Sequence, residues 1–106
     1  MTKKRLGYVS PELAAKVLDR AENQCEWCCA FQQVGDFPHN IHHLCGRKVT
    51  ATKFNLVLLC NKCHREVHAN PNSGIDLELK QNLQDRYYSM GHTEEQVREL
   101  MSGRIY

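Results

Sequence analysis

The sequence predicts a small α+β domain in which a hairpin and a helix form the centre and further helices lie at both ends. Three observations predict this class. The chain has two C-x-x-C pairs, an apolar run of strand length at 55–59 that leads into two histidines spaced four apart, and amphipathic helical patterns on either side. With 106 residues it fits one domain with a modest core.

The elements follow one another along this single domain, 1–106. Ser10-Pro11-Glu12 combines an N-cap hydroxyl, a proline at the first helical position and an acid in the first turn, which is typical of a helix start. Residues 30–40 contain Gly35 and Pro38 and are predicted to form a loop or short hairpin. The predicted segments are a basic tail (1–9), an N-terminal helix (10–24), a core (25–69) and C-terminal helices (75–106).

Two helices are expected after the turn-forming residues 70–74. The first runs from about Asp76 to Met90 and stops at Gly91. The second starts with a capping box at Thr93–Gln96 and is closed by Gly103. The expected apolar stripe of the first helix is Leu79, Leu83, Tyr87 and Met90.

The paired cysteines indicate a metal site. The four candidate ligands are Cys25, Cys28, Cys60 and Cys63. Two C-x-x-C pairs are the sequence form of a closed tetrathiolate zinc site, so we expect a zinc-stapled domain, one held together by structural Zn²⁺. Redox or disulfide use is the alternative, but it needs only one pair, near a strand-helix-strand pattern that this chain lacks. Cys29 and Cys45 are expected to be free thiols, although Cys29 could substitute as a ligand.

The histidines indicate a second site. His64 and His68 are four residues apart, so on a helix their Cβ atoms lie about 5–6 Å apart and both rings can bind one ion. His42 and His43 lie at the end of another predicted strand. Adjacent residues on a strand point to opposite faces, so use of both at one site requires a break in the pleat, which Gly46 could help to make.

The order of these residues resembles the HNH endonuclease family. The motif consists of His42-His43, then Asn55, then Cys60-x-x-Cys63-His64 and His68. The resemblance covers residues 25–68. It implies a ββα-metal HNH finger, in which a hairpin and a helix hold one divalent cation against the scissile phosphate of a nucleic acid.

The resemblance assigns roles residue by residue. It implies that His43 is the general base that activates water and that His42 binds the catalytic metal beside it. Asn55 matches the central Asn, which orients the base or binds the metal, and the alternative is that it is only a turn or strand-entry residue. His64 and His68 match the metal ligands of the colicin-like branch, although His64 could instead be a zinc ligand beside Cys63.

The implied activity is metal-dependent hydrolysis of DNA phosphodiester bonds, by nicking or cutting, that leaves 5′-phosphate and 3′-hydroxyl ends. The catalytic ion could be Mg, Mn, Ni or Zn, and imidazole ligands favour the last three. The alternatives are a non-catalytic zinc-dependent nucleic-acid-binding module and an RNA-cleaving HNH enzyme. A chain with no apolar run of 18 residues and no secretory pattern is expected in the cytoplasm, not in a membrane. The resemblance, together with the small size, implies a phage or bacterial enzyme in a bacterial or phage-infected cell.

The excess of positive charge lies in the predicted core segment of the chain. The net charge is only +2, but residues 39–68 contain five basic residues and one acidic residue. Basic side chains there are candidates for sequence-independent phosphate contacts. They are Arg47, Lys48, Lys53, Lys62 and Arg65. The acidic C-terminal helices are expected to support the core or to contact another protein.

Overall fold

The computed structural model describes residues 6–29 and 41–106. The predicted loop at 30–40 and the first five residues of the predicted tail lie outside them. In chain order the elements are α1 (Pro11–Ala21), β1 (Ile41–His43), β2 (Leu56–Leu58), α2 (Asn61–Ala69), α3 (Gly74–Ser89) and α4 (Glu94–Leu100). The predicted α+β class is confirmed for this part of the chain. Among the described helices, none is both long and apolar enough to cross a membrane.

Helix α1 begins where its sequence predicts. The Ser10 hydroxyl accepts a hydrogen bond from the Leu13 N–H at 3.1 Å. The helix ends at Ala21, earlier than the predicted end at 24, because Glu22 and Asn23 adopt left-handed φ angles of 55° and 58°. Their N–H groups turn back to carbonyls of the last helical turn and close the helix.

The two strands form an antiparallel hairpin. His42 lies opposite Val57 and His43 lies opposite Leu56. The Leu44 N–H continues the pairing by donating to the carbonyl of the residue before β2 at 3.0 Å. The strand is therefore regular through the histidine pair, and the suggested break in the pleat does not occur there. Gly46, with φ of +72°, turns the chain only after the strand has ended.

Both faces of the hairpin are buried. Leu56 and Leu58 pack with Val17 of α1. On the opposite face, Val57 and Leu59 belong to a larger core with α2, α3 and α4. The other buried members of this core are Cys25, Leu44, Cys45, Cys63, Val67, Leu83, Tyr87, Val97 and Met101. A strand covered on both faces explains why the sequence has a continuous apolar run here and no alternation.

The C-terminal helices cover the second face. Helix α3 starts two residues before the predicted Asp76, and its Leu83 and Tyr87 are buried as expected. Met90 is 49% exposed, so the predicted stripe ends one turn early. The capping box of α4 is confirmed, and it places Val97 in the core. These helices therefore pack against the face of the hairpin that contains Val57 and Leu59.

Candidate functional site

The four cysteines of the C-x-x-C pairs form one cluster. Their sulfur atoms all lie within 4.8 Å of one another, and the sulfurs of Cys28 and Cys60 are 3.6 Å apart. In a tetrahedral site with Zn–S bonds of about 2.3 Å, neighbouring sulfurs are about 3.8 Å apart. The donor set and its spacing fit zinc, so the cluster could bind a metal such as this ion.

Backbone N–H groups turn toward the sulfurs in both pairs. The N–H of Cys28 faces the sulfur of Cys25, and the N–H of Cys63 faces the sulfur of Cys60, each at 3.5 Å. Cys60 is also the N-cap of α2, so the free N–H groups of that helix end lie at the cluster. These donors stabilise the negative charge that four thiolates bring to a divalent ion.

Hydrogen bonds join the first cysteine pair to β2. The Arg20 guanidinium of α1 donates to the two carboxylate oxygens of Glu26 at 2.7 and 2.9 Å and to the Leu56 carbonyl at 2.8 Å. Glu26 accepts the Leu58 N–H at 2.9 Å and donates its own N–H to the Leu58 carbonyl at 2.8 Å. The first pair is thereby held beside the strand that leads to the second pair.

The thiols of the cluster have different pKa values. Burial alone would raise the pKa of Cys25, but backbone donors, including those of Cys28 and Cys60, outweigh it and lower the pKa to about 7. Burial and hydrogen bonds to the neighbouring sulfurs raise the pKa of Cys63. The metal-free cluster thus ionises readily at one sulfur and keeps a proton at another, which a bound cation would displace.

The two remaining cysteines stand apart from this cluster. Cys29 is exposed and has φ of +65°. Cys45 is buried, its sulfur lies 3.8 Å from the Met101 sulfur, and burial raises its pKa to about 11. Neither residue belongs to the four-cysteine cluster or to a disulfide.

Three imidazoles form a second cluster. The nitrogens that His42, His64 and His68 can offer to an ion lie within 4.8 Å of one another. His64 and His68 are one turn apart on α2, and their Nε2 atoms are 3.0 Å apart. His42 reaches them from β1, with ring centroids 5.6 and 5.3 Å away. Nitrogens converging in this way fit the ligand set of a first-row divalent ion.

The ring environments favour neutral imidazoles. Burial lowers the pKa of His42 to about 4, although the nearby Asp76 carboxylate opposes this shift. Burial also lowers the pKa of His64, with a further contribution from His68. Since a lowered histidine pKa keeps the ring neutral down to lower pH, the lone pairs that bind a metal are present at pH 7.

The His43 ring contacts a backbone carbonyl outside the three-histidine cluster. Its Nε2 lies 2.8 Å from the carbonyl oxygen of Gly7. A carbonyl only accepts hydrogen bonds, so the neutral ring donates from Nε2 and keeps its lone pair on Nδ1. Both His42 and His43 line a cavity of about 250 Å³, together with His64 and His68. His43 therefore lies beside the three-histidine cluster without belonging to it.

The Asn55 side chain closes a loop. It is 5% exposed, its Oδ1 accepts the Thr52 N–H at 2.9 Å, and its Nδ2 donates to the Thr50 carbonyl at 3.0 Å. These contacts hold the turn that leads into β2 and involve neither the cysteine cluster nor the three-histidine cluster. The orienting or metal-binding role of Asn55 stays a prediction.

Two of the five predicted basic residues flank the three-histidine cluster. Arg47 lines the 250 Å³ cavity. Arg65 lines an open groove of about 420 Å³ that shares His64 and His68 with that cavity. The other three are exposed elsewhere: Lys48 at a separate cavity, Lys53 with its ammonium 5.3 Å from the Phe54 ring, and Lys62 on α2. The arginines thus place positive charge at the two cavities that contain His64 and His68.

Two contacts to the histidine pair could not be predicted from the sequence. Gly7, assigned to the basic tail, contacts His43 across 36 positions, and Asp76 of α3 lies against His42 across 34 positions. Contacts at such separations leave no local pattern. Asp76 had only the weak signal of an acid near a helix start, which the helix dipole already explains.

Comparison of the chain with protein-family models, curated proteins and solved structures found no match.

Proposed function

We propose that this protein is a metal-dependent HNH endonuclease that hydrolyses phosphodiester bonds of DNA. The observation that supports this proposal most strongly is the convergence of His42, His64 and His68 on one point, with His43 beside them on the same cavity. A site that only stabilised the fold would need no second, solvent-accessible ligand cluster, because four cysteines already form a closed one.

Phosphodiester hydrolysis requires such a combination. The uncatalysed reaction is very slow, and a positioned base supplies only about 10²- to 10⁴-fold of the acceleration. A divalent cation at the imidazoles supplies, when bound, Lewis-acid stabilisation of charge on the phosphate and the leaving oxygen. Three neutral side chains suit this role since they leave the full charge of the ion available to the substrate.

His43 acts as the general base in this proposal. Its Nε2 donates to the Gly7 carbonyl, so Nδ1 accepts the proton from the attacking water. The water oxygen attacks phosphorus and the bond to the 3′-oxygen breaks. The 3′-oxygen takes a proton from solvent water, which gives 5′-phosphate and 3′-hydroxyl ends. Arg47 and Arg65, which line the two cavities at the cluster, contact the neighbouring phosphates.

A cleavage assay on supercoiled plasmid tests this function. The zinc-loaded protein is expected to nick DNA with Mg²⁺, Mn²⁺, Ni²⁺ or Zn²⁺ and to stop when the ion is chelated. His68→Ala removes an exposed ligand and should lower the rate at limiting ion by more than about 100-fold, since even outer-shell partners of a metal contribute 10- to 100-fold.

His92→Ala is the matched control. His92 contacts the Tyr87 ring and lines a separate cavity that contains none of the three histidines, so its replacement should leave cleavage unchanged. DNA binding without cleavage under any ion contradicts the proposal and favours a non-catalytic zinc-dependent module. Cleavage of RNA but not DNA contradicts the substrate assignment and favours an RNA-cleaving enzyme.

A further inference from the structure

The two adjacent histidines of β1 face different oxygen acceptors. His42 Nε2 lies 3.4 Å from Oδ1 of Asp76, and His43 Nε2 lies 2.8 Å from the carbonyl of Gly7. Carboxylate and carbonyl oxygens accept but do not donate, so each neutral ring carries its proton on Nε2 and its lone pair on Nδ1. Neither acceptor belongs to the hairpin or to α2, which supply the histidines.

The Asp76 carboxylate has little freedom to turn away from His42. It is 3% exposed, and its Oδ2 accepts the Asn72 N–H at 2.6 Å and the Lys80 ammonium at 2.8 Å. With both donors on Oδ2, the other oxygen is directed at the ring of His42. A carboxylate behind a metal-binding histidine fixes the tautomer and orientation of the ring and strengthens it as a ligand.

The Gly7 carbonyl is fixed by close packing. Gly7 is buried, and a Cβ added there would lie 2.7 Å from the Arg47 Cβ and 2.8 Å from the Arg47 Cα. The preceding carbonyl, that of Leu6, accepts the Ala51 N–H at 2.9 Å. Only glycine allows the chain to approach this closely, and the approach brings its carbonyl to His43.

We propose that Asp76 and Gly7 are positioning residues that give the histidine pair its two roles. Asp76 presents Nδ1 of His42 to the metal ion, and Gly7 presents Nδ1 of His43 to the attacking water. The roles rest on the proposed function, whereas the two tautomers can be measured without substrate or catalytic ion.

Long-range ¹⁵N–¹H NMR of the zinc-loaded protein at pH 8, with ¹⁵N-labelled histidine, reads the tautomers directly. We expect protonated Nε2 in both His42 and His43. Protonated Nδ1 in either ring overturns the corresponding half of the proposal. Absence of nuclease activity would not affect this result, so the two proposals fail separately.

Asp76→Asn should reverse the tautomer of His42. The Asn72 N–H and Lys80 both donate, so they hold the amide oxygen and turn the amide NH₂ toward Nε2 of His42, which then becomes an acceptor. With its proton moved to Nδ1, His42 should bind metal less well. The Co²⁺ affinity of the histidine cluster, measured by competition with a chelator, is expected to fall about 10- to 100-fold while structural zinc is retained.

Asp85→Asn is the matched control, because it makes the same carboxylate-to-amide change at an exposed position of α3. It should keep the wild-type tautomer and Co²⁺ affinity. An equal loss of affinity in both variants would show that the loss does not come from the contact of Asp76 with His42, and an unchanged affinity in Asp76→Asn would likewise overturn its role.

Gly7→Ala should affect the proposed base and not the metal affinity, in contrast to Asp76→Asn. The clash with Arg47 moves the Gly7 carbonyl, so His43 loses the acceptor that keeps its proton on Nε2. Plasmid cleavage should then fall by about 100-fold, as expected for a misplaced catalytic group. The Co²⁺ affinity should not change. A wild-type His43 tautomer in a folded Gly7→Ala protein, or a loss of Co²⁺ affinity, contradicts the assignment of Gly7.

Discussion

Replacement of His43 with alanine is expected to slow plasmid cleavage by about 10²- to 10⁴-fold, the usual contribution of a positioned general base. This expected loss follows from the position of the His43 ring and from its hydrogen bond. His43 lines the cavity beside the three-histidine cluster, and its Nε2 contact with the Gly7 carbonyl leaves Nδ1 as the basic atom. Because His43 is outside both ligand clusters, the variant should keep its structural zinc, its melting temperature and the Co²⁺ affinity of the imidazoles.

Added imidazole distinguishes a lost base from a distorted site. If His43 acts as a base, free imidazole in the buffer should restore part of the activity of His43→Ala at saturating ion, without changing the ion concentration that gives half-maximal cleavage. His68→Ala, which lacks a ligand, should instead need a higher ion concentration. Wild-type cleavage by His43→Ala would show that another group removes the proton. A loss of Co²⁺ affinity in this variant would show that His43 acts through the metal site.

Replacement of Cys25 with serine is expected to remove most of the stability of the fold. Structural zinc in small domains contributes about 10–16 kcal/mol of apparent binding free energy, which is comparable to the whole stability of a domain of this size. Cys25 is 1% exposed and belongs to both the cysteine cluster and the main core. The variant should release zinc and lose its cooperative thermal transition, and a strong chelator should have the same effect on the wild-type protein.

Cys29→Ser is the matched control for this experiment. Cys29 lies four residues away, is exposed and is outside the cysteine cluster, so its replacement should leave zinc content and melting temperature unchanged. Full zinc content and an unchanged transition in Cys25→Ser would contradict the assigned ligand set. Zinc loss in Cys29→Ser would show that this neighbour replaces one of the four ligands.

The sequence predicted the parts of the fold that depend on local patterns. The start of α1 and the capping box of α4 follow from side chains that bond to the nearest free N–H groups, so a few residues determine them. The end of α1 was less predictable, because Glu22 and Asn23 take left-handed conformations without a glycine. Met90 has the spacing of a core residue but lies beyond the surface that α3 buries.

The two ligand clusters also combine contacts that local patterns predict with contacts that they do not predict. The spacing within each C-x-x-C pair and between His64 and His68 predicts which side chains meet locally, and the structure brings the pairs together. The contacts of Asp76 and Gly7 depend on how distant segments pack, which no local pattern encodes. Asn55 is a different case. Its place in the motif predicts a role near the metal, whereas the hydrogen bonds of its amide are made within its own loop.

Anomalous scattering from a crystal of the zinc-loaded protein soaked with Ni²⁺ tests most directly whether the imidazoles bind a cation. Two separate metal peaks are expected, one among the four cysteine sulfurs at about 2.3 Å and one about 2.0–2.1 Å from nitrogens of His42, His64 and His68. A peak at the cysteines alone, with the three rings turned away from one another, would contradict a catalytic metal site and leave only the zinc-bound scaffold.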